Sequence, residues 1–526
     1  MTTMLGSNLR ALSSGHFDLL VLGGGINGAG VARDAALRGL KVLLIEKNDF
    51  AFGASSRSTK LAHGGLRYLE SAEFSLVRES LRERALLKDV LAPHLVHPLP
   101  FLLPFYRGDL RPPWKVKAGL WLYDLLAGRS LIALHQSFGA EEARTMEPGL
   151  ASEGLLGAGL YWDCQMNDAR LVLETILDAE ALGARCLNYA ALASVEKLTQ
   201  GDVRVRVRDL ESGEEAPVTA SLMINAGGPW ADAVLAQLGR RPASPVIKAT
   251  KGVHLITRNL TQGRAILVPA RADARILFII PCDFAGEACS MIGTTDTDFH
   301  GDLDHVRAEA QDIEYLLTEA RRILPGSNLS KADIKATYAG VRPLSAPAKD
   351  SRGNSKISRE AQILESEGLL TLSGGKFTTY RAMSERVVDQ AARLLKKRLL
   401  PLSTAKRSLP GAVRIEAPDY LQSIYGKLAS AVIALTHEDP ALAQPIAPGS
   451  PAILAQVAYA ARHEKARHLD DFYLRRTFLG LELAPDHPGV EKVAAVMGKE
   501  LGWDAGRVAE ELDDLKKTIN REYRMP

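Results

Sequence analysis

The chain has 526 residues, 46% hydrophobic and 24% charged, which is too long for one ordinary core and excludes a disordered or fibrous protein; two or three globular domains are expected. Lys and Arg number 65 against 62 Asp and Glu, so no global field draws the chain to nucleic acid, and any attraction for anions must be local. Cys164, Cys186, Cys282 and Cys289 show no CxxC spacing, which argues against a metal site and fits inert buried thiols in a reducing compartment.

The opening residues, MTTMLGSNLRALSSGHF, lack the apolar stretch of a secretory signal, and no run of about 18 apolar residues occurs anywhere. The expected location is therefore the cytosol or a membrane surface on its cytosolic side. Residues 18–22, DLLVL, read as a buried parallel strand that runs into GGGINGAG at 23–30 and then a helix through Leu37. Gly23, Gly25 and Gly28 stand in GxGxxG spacing: the first for a tight turn, the second for close approach to a pyrophosphate, the third for packing helix on strand. The phosphates would meet the N–H groups and positive dipole at the helix start. A second strand, KVLLIE, ends at Glu46, at the spacing expected for the ribose hydroxyls. Strand, turn, helix, strand and acid in order specify a dinucleotide site, but NAD and FAD would use the same motif.

Farther on, apolar residues from Glu73 to Leu91 recur at helical spacing until Pro93. The stretch 104–126, PFYRGDLRPPWKVKAGLWLYDLL, mixes Arg107, Arg111, Lys115 and Lys117 with Trp114, Trp121 and Tyr123; it is too short and too charged to span a bilayer. It suits either an interfacial anchor on anionic lipid or a solvated basic face over a packed helix. A helix is expected over 168–183 with Asp168 as its cap, then strands near 185–196, 202–209 and 217–226, the last ending at Gly227 and Gly228 in a second backbone turn against the cofactor. Residues 275–281 and 288–296 form an antiparallel pair, Ile313–Leu324 a helix, and a strand at 368–373 leads through Gly374 and Gly375 into a helix near Thr378. Beyond about residue 400 the pattern is helical, broken at 445–450.

Several segments together carry a family resemblance: GGGINGAG, SSRSTKLAHGGLRYLE at 55–70, APHLVHPLPF at 92–101, INAGGPW at 224–230, KGVH at 251–254, IGTTD at 292–296, YAGVRPL at 338–344, SGGKFTTYR at 373–381 and HEKARHLDDFYLRRTFLGL at 463–481. Through nearly its whole length the chain resembles the aerobic, FAD-dependent glycerol-3-phosphate dehydrogenases, within the glycine oxidase and D-amino-acid oxidase fold family. The resemblance, and not composition or spacing, names FAD and glycerol 3-phosphate. It implies an α/β fold: a Rossmann-like FAD-binding domain built from 17–90, 151–240 and 336–398, a helical, membrane-facing segment at 91–150, an inserted antiparallel-sheet substrate domain at 241–335, and a C-terminal helical domain at 399–526. The activity implied is oxidation of sn-glycerol 3-phosphate to dihydroxyacetone phosphate, with electrons passed through FAD to a membrane quinone. The competitors are an α-glycerophosphate oxidase using oxygen and a sensor whose FAD is structural. Peripheral attachment to the inner face of the cell membrane goes with this, without nucleic acid or metal, and a homodimer is compatible with it.

The substrate is a dianion bearing a secondary alcohol, so its site needs shaped cations and a base. Arg67 and Tyr68 in HGGLRY, Arg342 in GVRPL, Arg359 in KISRE and Lys376 in GGK match the family's substrate pocket. A guanidinium offers parallel hydrogen bonds to phosphate or alkoxide, while Lys supplies a point charge. Arg342, between an apolar strand and Pro343, would otherwise need a buried partner; Arg359 sits in a polar stretch that reads equally as a loop. A neutral histidine is the natural base, and His63 and His254 both remain candidates. For the cofactor, the matching positions are Gly23, Gly25, Gly28, Glu46, Ser58, Thr59, Gly227, Gly375 and Thr378. The turn 374–380 would place N–H groups against reduced flavin.

Overall fold

The computed structural model describes residues 15–526 apart from 110, 241, 272, 274, 285, 347, 350–354 and 357–360; the candidate Arg359 lies outside the described residues. The chain divides into two compact units, one formed by 1–56, 168–250 and 341–410, the other by 57–167, 251–340 and 411–526.

The first unit is built on a sheet in the order Gln362–Ser366, Leu369–Ser373, Glu215–Asn225, His16–Leu22, Val42–Ile45, Arg185–Leu187. Its four central pairings are parallel, with Val21 beside Ile224 on one side and Leu44 on the other. Strands buried on both faces need continuous apolar runs, and LLVL, VLLI and SLMI supply them with Leu19, Leu20, Val21, Leu43, Leu44, Met223 and Ile224 all fully buried. Asp202–Asp209 adds antiparallel to Glu215–Asn225, and Ala190–Thr199 to it in turn. The helix Ile26–Leu37 packs against Asp168–Ala181 and Tyr380–Leu395. Gly30 permits the second contact, since a β-carbon there would collide with Ser384 and Tyr380. Asp168 begins its helix as expected, its carboxylate accepting the Ala169 N–H at 2.8 Å.

The second unit carries a larger sheet in the order Thr297–Asp298, Ile247–Arg258, Glu287–Gly293, Ile276–Phe284, Ala265–Pro269, Val96–Tyr106, Leu155–Met166, Leu61–Ala62, with Ile334–Ser345 also paired to Ile247–Arg258. The expected antiparallel pair is present and sets Cys282 opposite Cys289; all four cysteines are buried and free. The expectation of a helical 91–150 is corrected in part. Val96–Tyr106 is an eleven-residue strand paired along its length with Leu155–Met166, and only Pro113–Ala127 is a long helix there. Pro98, Pro100 and Pro104 lack the N–H a helix would need, whereas a strand can turn such positions away from its ladder. The C-terminal helices share one hydrophobic core with this sheet, through Tyr425, Val457, Phe472 and Val493 alongside Phe101, Tyr161 and Ile280.

Charge is buried in that core as a closed set. Arg84 and Asp163, each 1% exposed, meet at 2.8 Å; Arg84 also donates to the Trp162 and Ser130 carbonyls, and Tyr123 donates to Asp163 at 2.9 Å. Burial raises the Asp163 pKa, and the Arg84 charge works against it. Removing one partner leaves an uncompensated ion, so Arg84→Ala should lower the second unit's stability by about 3–5 kcal/mol. Urea titration followed by far-UV circular dichroism reads this as a lowered midpoint; an unchanged midpoint would refute the expected loss.

Candidate functional site

In the first unit the dinucleotide turn is shaped by what cannot fit. Gly23 (φ +109°) donates its N–H to Ile45 O at 2.8 Å, and a β-carbon there would stand 2.6 Å from the Ala226 carbonyl. A β-carbon on Gly28 would collide with the Gly23 carbonyl. Gly25 differs: the nearest protein atom to an added β-carbon is Ser55 Oγ at 3.1 Å, and it N-caps the helix Ile26–Leu37 without a side-chain cap. The Ile26 N–H donates to Ser55 Oγ at 3.0 Å, and the positive end of the helix dipole favours an anion beside it. Glu46 accepts from Gly24 N–H at 2.7 Å and Asn48 N–H at 2.8 Å; burial raises its pKa, and these two donors oppose the rise. Asn48 Nδ2 is buried with no hydrogen-bond partner among the described residues. An orphaned donor beside the ribose-side carboxylate, at the mouth of a glycine cradle, fits an adenine dinucleotide.

The second turn lies alongside. Gly227 donates its N–H to Asn225 Oδ1 at 3.1 Å, and the positive φ of the pair belongs to Gly228 (+53°). Trp230 packs on the loop 49–56, where a Gly53 β-carbon would meet its ring at 2.7 Å. The strand Leu369–Ser373 ends in two left-handed glycines, Gly374 (+70°) and Gly375 (+94°), before a short 3₁₀ turn Phe377–Thr379 and the helix Tyr380–Leu395. Thr378 is buried in that turn, Lys376 is half-buried at its start, and Arg342 is half-buried on Ile334–Ser345. The helix begins at Tyr380, close to the expected Thr378, with Thr379 as its N-cap residue and no side-chain cap hydrogen bond.

In the second unit Thr59 Oγ1 and His254 Nε2 lie 3.0 Å apart. The His254 ring is buried and stacks on Tyr338 with centroids 4.7 Å apart, and the Tyr338 hydroxyl donates to the Ser58 carbonyl at 2.9 Å. His254 faces Gly293 across the sheet, and a β-carbon there would collide with its ring; this is why IGTTD carries glycine at that place. Thr295 Oγ1 accepts the Val253 N–H at 3.0 Å, and Lys251 is ion-paired to Asp312 at 2.8 Å, so KGVH is fixed on both sides of the histidine. Lys60 holds a left-handed φ of +54°, its ammonium 4.4 Å from the centre of the Phe478 ring.

The HGGLRY turn rests on the buried charge set. Gly64 N–H donates to Asp163 at 2.9 Å, and a β-carbon there would collide with the Tyr123 hydroxyl and Leu81. Gly65 (φ +81°) then opens the 3₁₀ turn Leu66–Ser71, which leaves Arg67 exposed over the buried Tyr68 ring at 5.1 Å. His63 is half-buried before this turn. Thus Thr59 joins His254, and Arg67 joins Tyr68. Ser55, Asn48 and Tyr338 were missed from sequence; Ser55 opens the quoted SSRSTK motif, but the partners of Asn48 and Tyr338 leave no local signal.

A glycine cradle at the end of a central strand in a parallel sheet defines a dinucleotide-binding protein. Comparison agrees. Residues 18–390 match the family described as FAD dependent oxidoreductase, and 369–508 the C-terminal domain of alpha-glycerophosphate oxidase. The glycerol-3-phosphate dehydrogenase of Synechocystis is 39% identical over 90% of this chain and 91% of its own, and the human mitochondrial one 34% over 97% and 74%. The structure of glycerol-3-phosphate dehydrogenase from Bacillus halodurans complexed with FAD superposes with a TM-score of 0.81 at 29% identity, covering 99% of this chain and 98% of that one. The chain belongs to the FAD-dependent glycerol-3-phosphate dehydrogenase family.

Gly293→Ala should displace the His254 ring and slow substrate-driven flavin reduction by about 10- to 100-fold with FAD retained. Anaerobic stopped-flow absorbance checks this; an unchanged rate would separate the ring's seat from the reaction.

Proposed function

We propose that the chain oxidises sn-glycerol 3-phosphate to dihydroxyacetone phosphate and passes the electrons to a membrane quinone. The observation that carries the substrate is likeness over almost the full length to proteins named for that activity. FAD supplies the two-electron acceptor. It would be held by Gly23, Gly25, Gly28 and Glu46, by Gly227, and by Ser58, Thr59, Gly375 and Thr378. Arg67 and Tyr68 bind the phosphate, where a guanidinium matches two oxygens at once. Arg342 and Lys376 hold the hydroxyl end and favour its deprotonated form.

Of the two candidate bases, we assign His254. Its ring is immobilised by stacking, by Thr59 and by the space at Gly293, whereas His63 is half-buried beside a turn. A base fixed within reach of one hydroxyl loses little entropy at the moment of transfer.

The quinone and membrane parts of the proposal rest on the helix Pro113–Ala127. Leu120 and Tyr123 are buried, while Trp114 (71% exposed), Trp121 (61%) and Leu125 (61%) line the opposite face, with Lys115 and Lys117 exposed among them. Exposed tryptophans at a seven-residue spacing cost apolar hydration in water and suit a lipid interface bearing anionic headgroups. No helix among the described residues is long and apolar enough to cross a membrane. The competing acceptor is oxygen, favoured by the match of 369–508 to the oxidase C-terminal domain.

Anaerobic glycerol 3-phosphate should bleach the flavin absorbance of the holoprotein; full occupancy without bleaching would overturn the substrate, and fast reoxidation by air without quinone would overturn the acceptor. Arg342→Ala should keep FAD and lose about 10²- to 10³-fold in kcat, as removal of a charge-stabilising donor does elsewhere; wild-type kinetics would refute its role. Trp114→Ser with Trp121→Ser should release the protein from anionic vesicles in a sedimentation assay, and undiminished binding would exclude this helix as the anchor.

A further inference from the structure

Glu522 and Tyr523 are buried against Arg57, in the segment that precedes Thr59. Glutamates are almost never fully buried unless paired, yet Glu522 is 3% exposed. Its Oε2 accepts from Arg57 at 2.8 Å, and its Oε1 lies 2.7 Å from an Arg521 nitrogen and 3.3 Å from His305 Nδ1. Arg57 is itself buried, with its guanidinium 5.5 Å from the centre of the Tyr523 ring. Arg524 fastens the terminus by donating to the Leu483 carbonyl at 2.8 Å.

Arg57 leads directly into the residues beside His254. A β-carbon on Gly340 would lie 2.8 Å from the Arg57 carbonyl, so the segment runs close against the strand of YAGVRPL. Ser58 then takes the Tyr338 hydroxyl on its carbonyl, Thr59 meets His254, and Lys60 adopts its left-handed φ with its carbonyl accepting the Met166 N–H at 2.8 Å. A non-glycine residue keeps that conformation only when it is held from both sides. Met166 is one side; Arg57, gripped by Glu522 and Tyr523, is the other. A buried ion pair is a poor source of stability, because desolvation offsets its attraction, but it fixes geometry.

We propose that Glu522 and Tyr523 are positioning residues for the oxidation, holding Arg57 so that Thr59 keeps His254 in place. The inference rests on the assignment of the Thr59–His254 pair to the reaction, so Thr59→Val is tested alongside. The measurements on each holoenzyme are anaerobic flavin reduction by glycerol 3-phosphate, KM, and the rate at which FAD is released, seen by its fluorescence. Glu522→Gln and Tyr523→Leu should retain the far-UV spectrum, reduce flavin about 10- to 100-fold more slowly and release FAD faster, with KM changed less than about twofold. Glu522→Asp should recover part of the rate by restoring the charge. Wild-type reduction in Glu522→Gln and Tyr523→Leu beside a slow Thr59→Val overturns the clamp; wild-type reduction in all three overturns the Thr59–His254 assignment and the clamp with it. A raised KM at an unchanged reduction rate also overturns it, because that marks lost substrate binding. If Glu522→Gln does not accumulate with FAD, Tyr523→Leu, which leaves the ion pair intact, decides the question by the same rates.

Discussion

A helix can deliver its N-terminal N–H groups to a pyrophosphate only if the turn from the preceding strand has almost no thickness, and the contact of Gly28 with the Gly23 carbonyl sets that thickness. Any β-carbon at either position would force the helix Ile26–Leu37 off the sheet. From that constraint follow the burial of His16–Leu22 between two parallel neighbours and the reach of Glu46 to the Gly24 N–H. The packing of the helix on Tyr380–Leu395 through Gly30 follows from it as well. The nucleotide site is a consequence of close packing before it is a matter of recognition.

The second unit works by a different means. Its candidate side chains are mounted on or beside a sheet, and buried polar contacts fix the segments that carry them. Asp163 accepts from Arg84, Tyr123 and the Gly64 backbone together, so the entry to HGGLRY is tied to the centre of the core. The same helix that sends Tyr123 inward turns Trp114 and Trp121 outward. The inner face of Pro113–Ala127 thus supports the turn bearing His63 and Arg67, and its outer face presents two exposed tryptophans.

His254 shows how much a single residue can depend on distant ones. Its neighbours are Thr59, Tyr338 and Gly293, which are far apart in sequence; Tyr338 is held in turn by the Ser58 carbonyl, and Gly293 stands opposite the histidine in the sheet. A ring held this way keeps one orientation without further ordering.

The amino-acid sequence by itself determined the dinucleotide turn, the buried parallel strands and the glycine-paired entry to Tyr380–Leu395, because each rests on local spacing: period-two and continuous apolar runs, and glycines where φ is positive or a backbone must pass close. Family resemblance added the catalytic candidates. Tertiary structure alone decided that 96–106 is a strand, since its partner Leu155–Met166 lies some fifty residues away, and that the C-terminal helices share the core of the substrate sheet. It alone placed Thr59 on His254 and Glu522 on Arg57. Such pairs are long-range hydrogen bonds and ion pairs between ordinary polar residues, and no periodicity marks them; they exist only once the chain has closed its loops and taken the groups out of water.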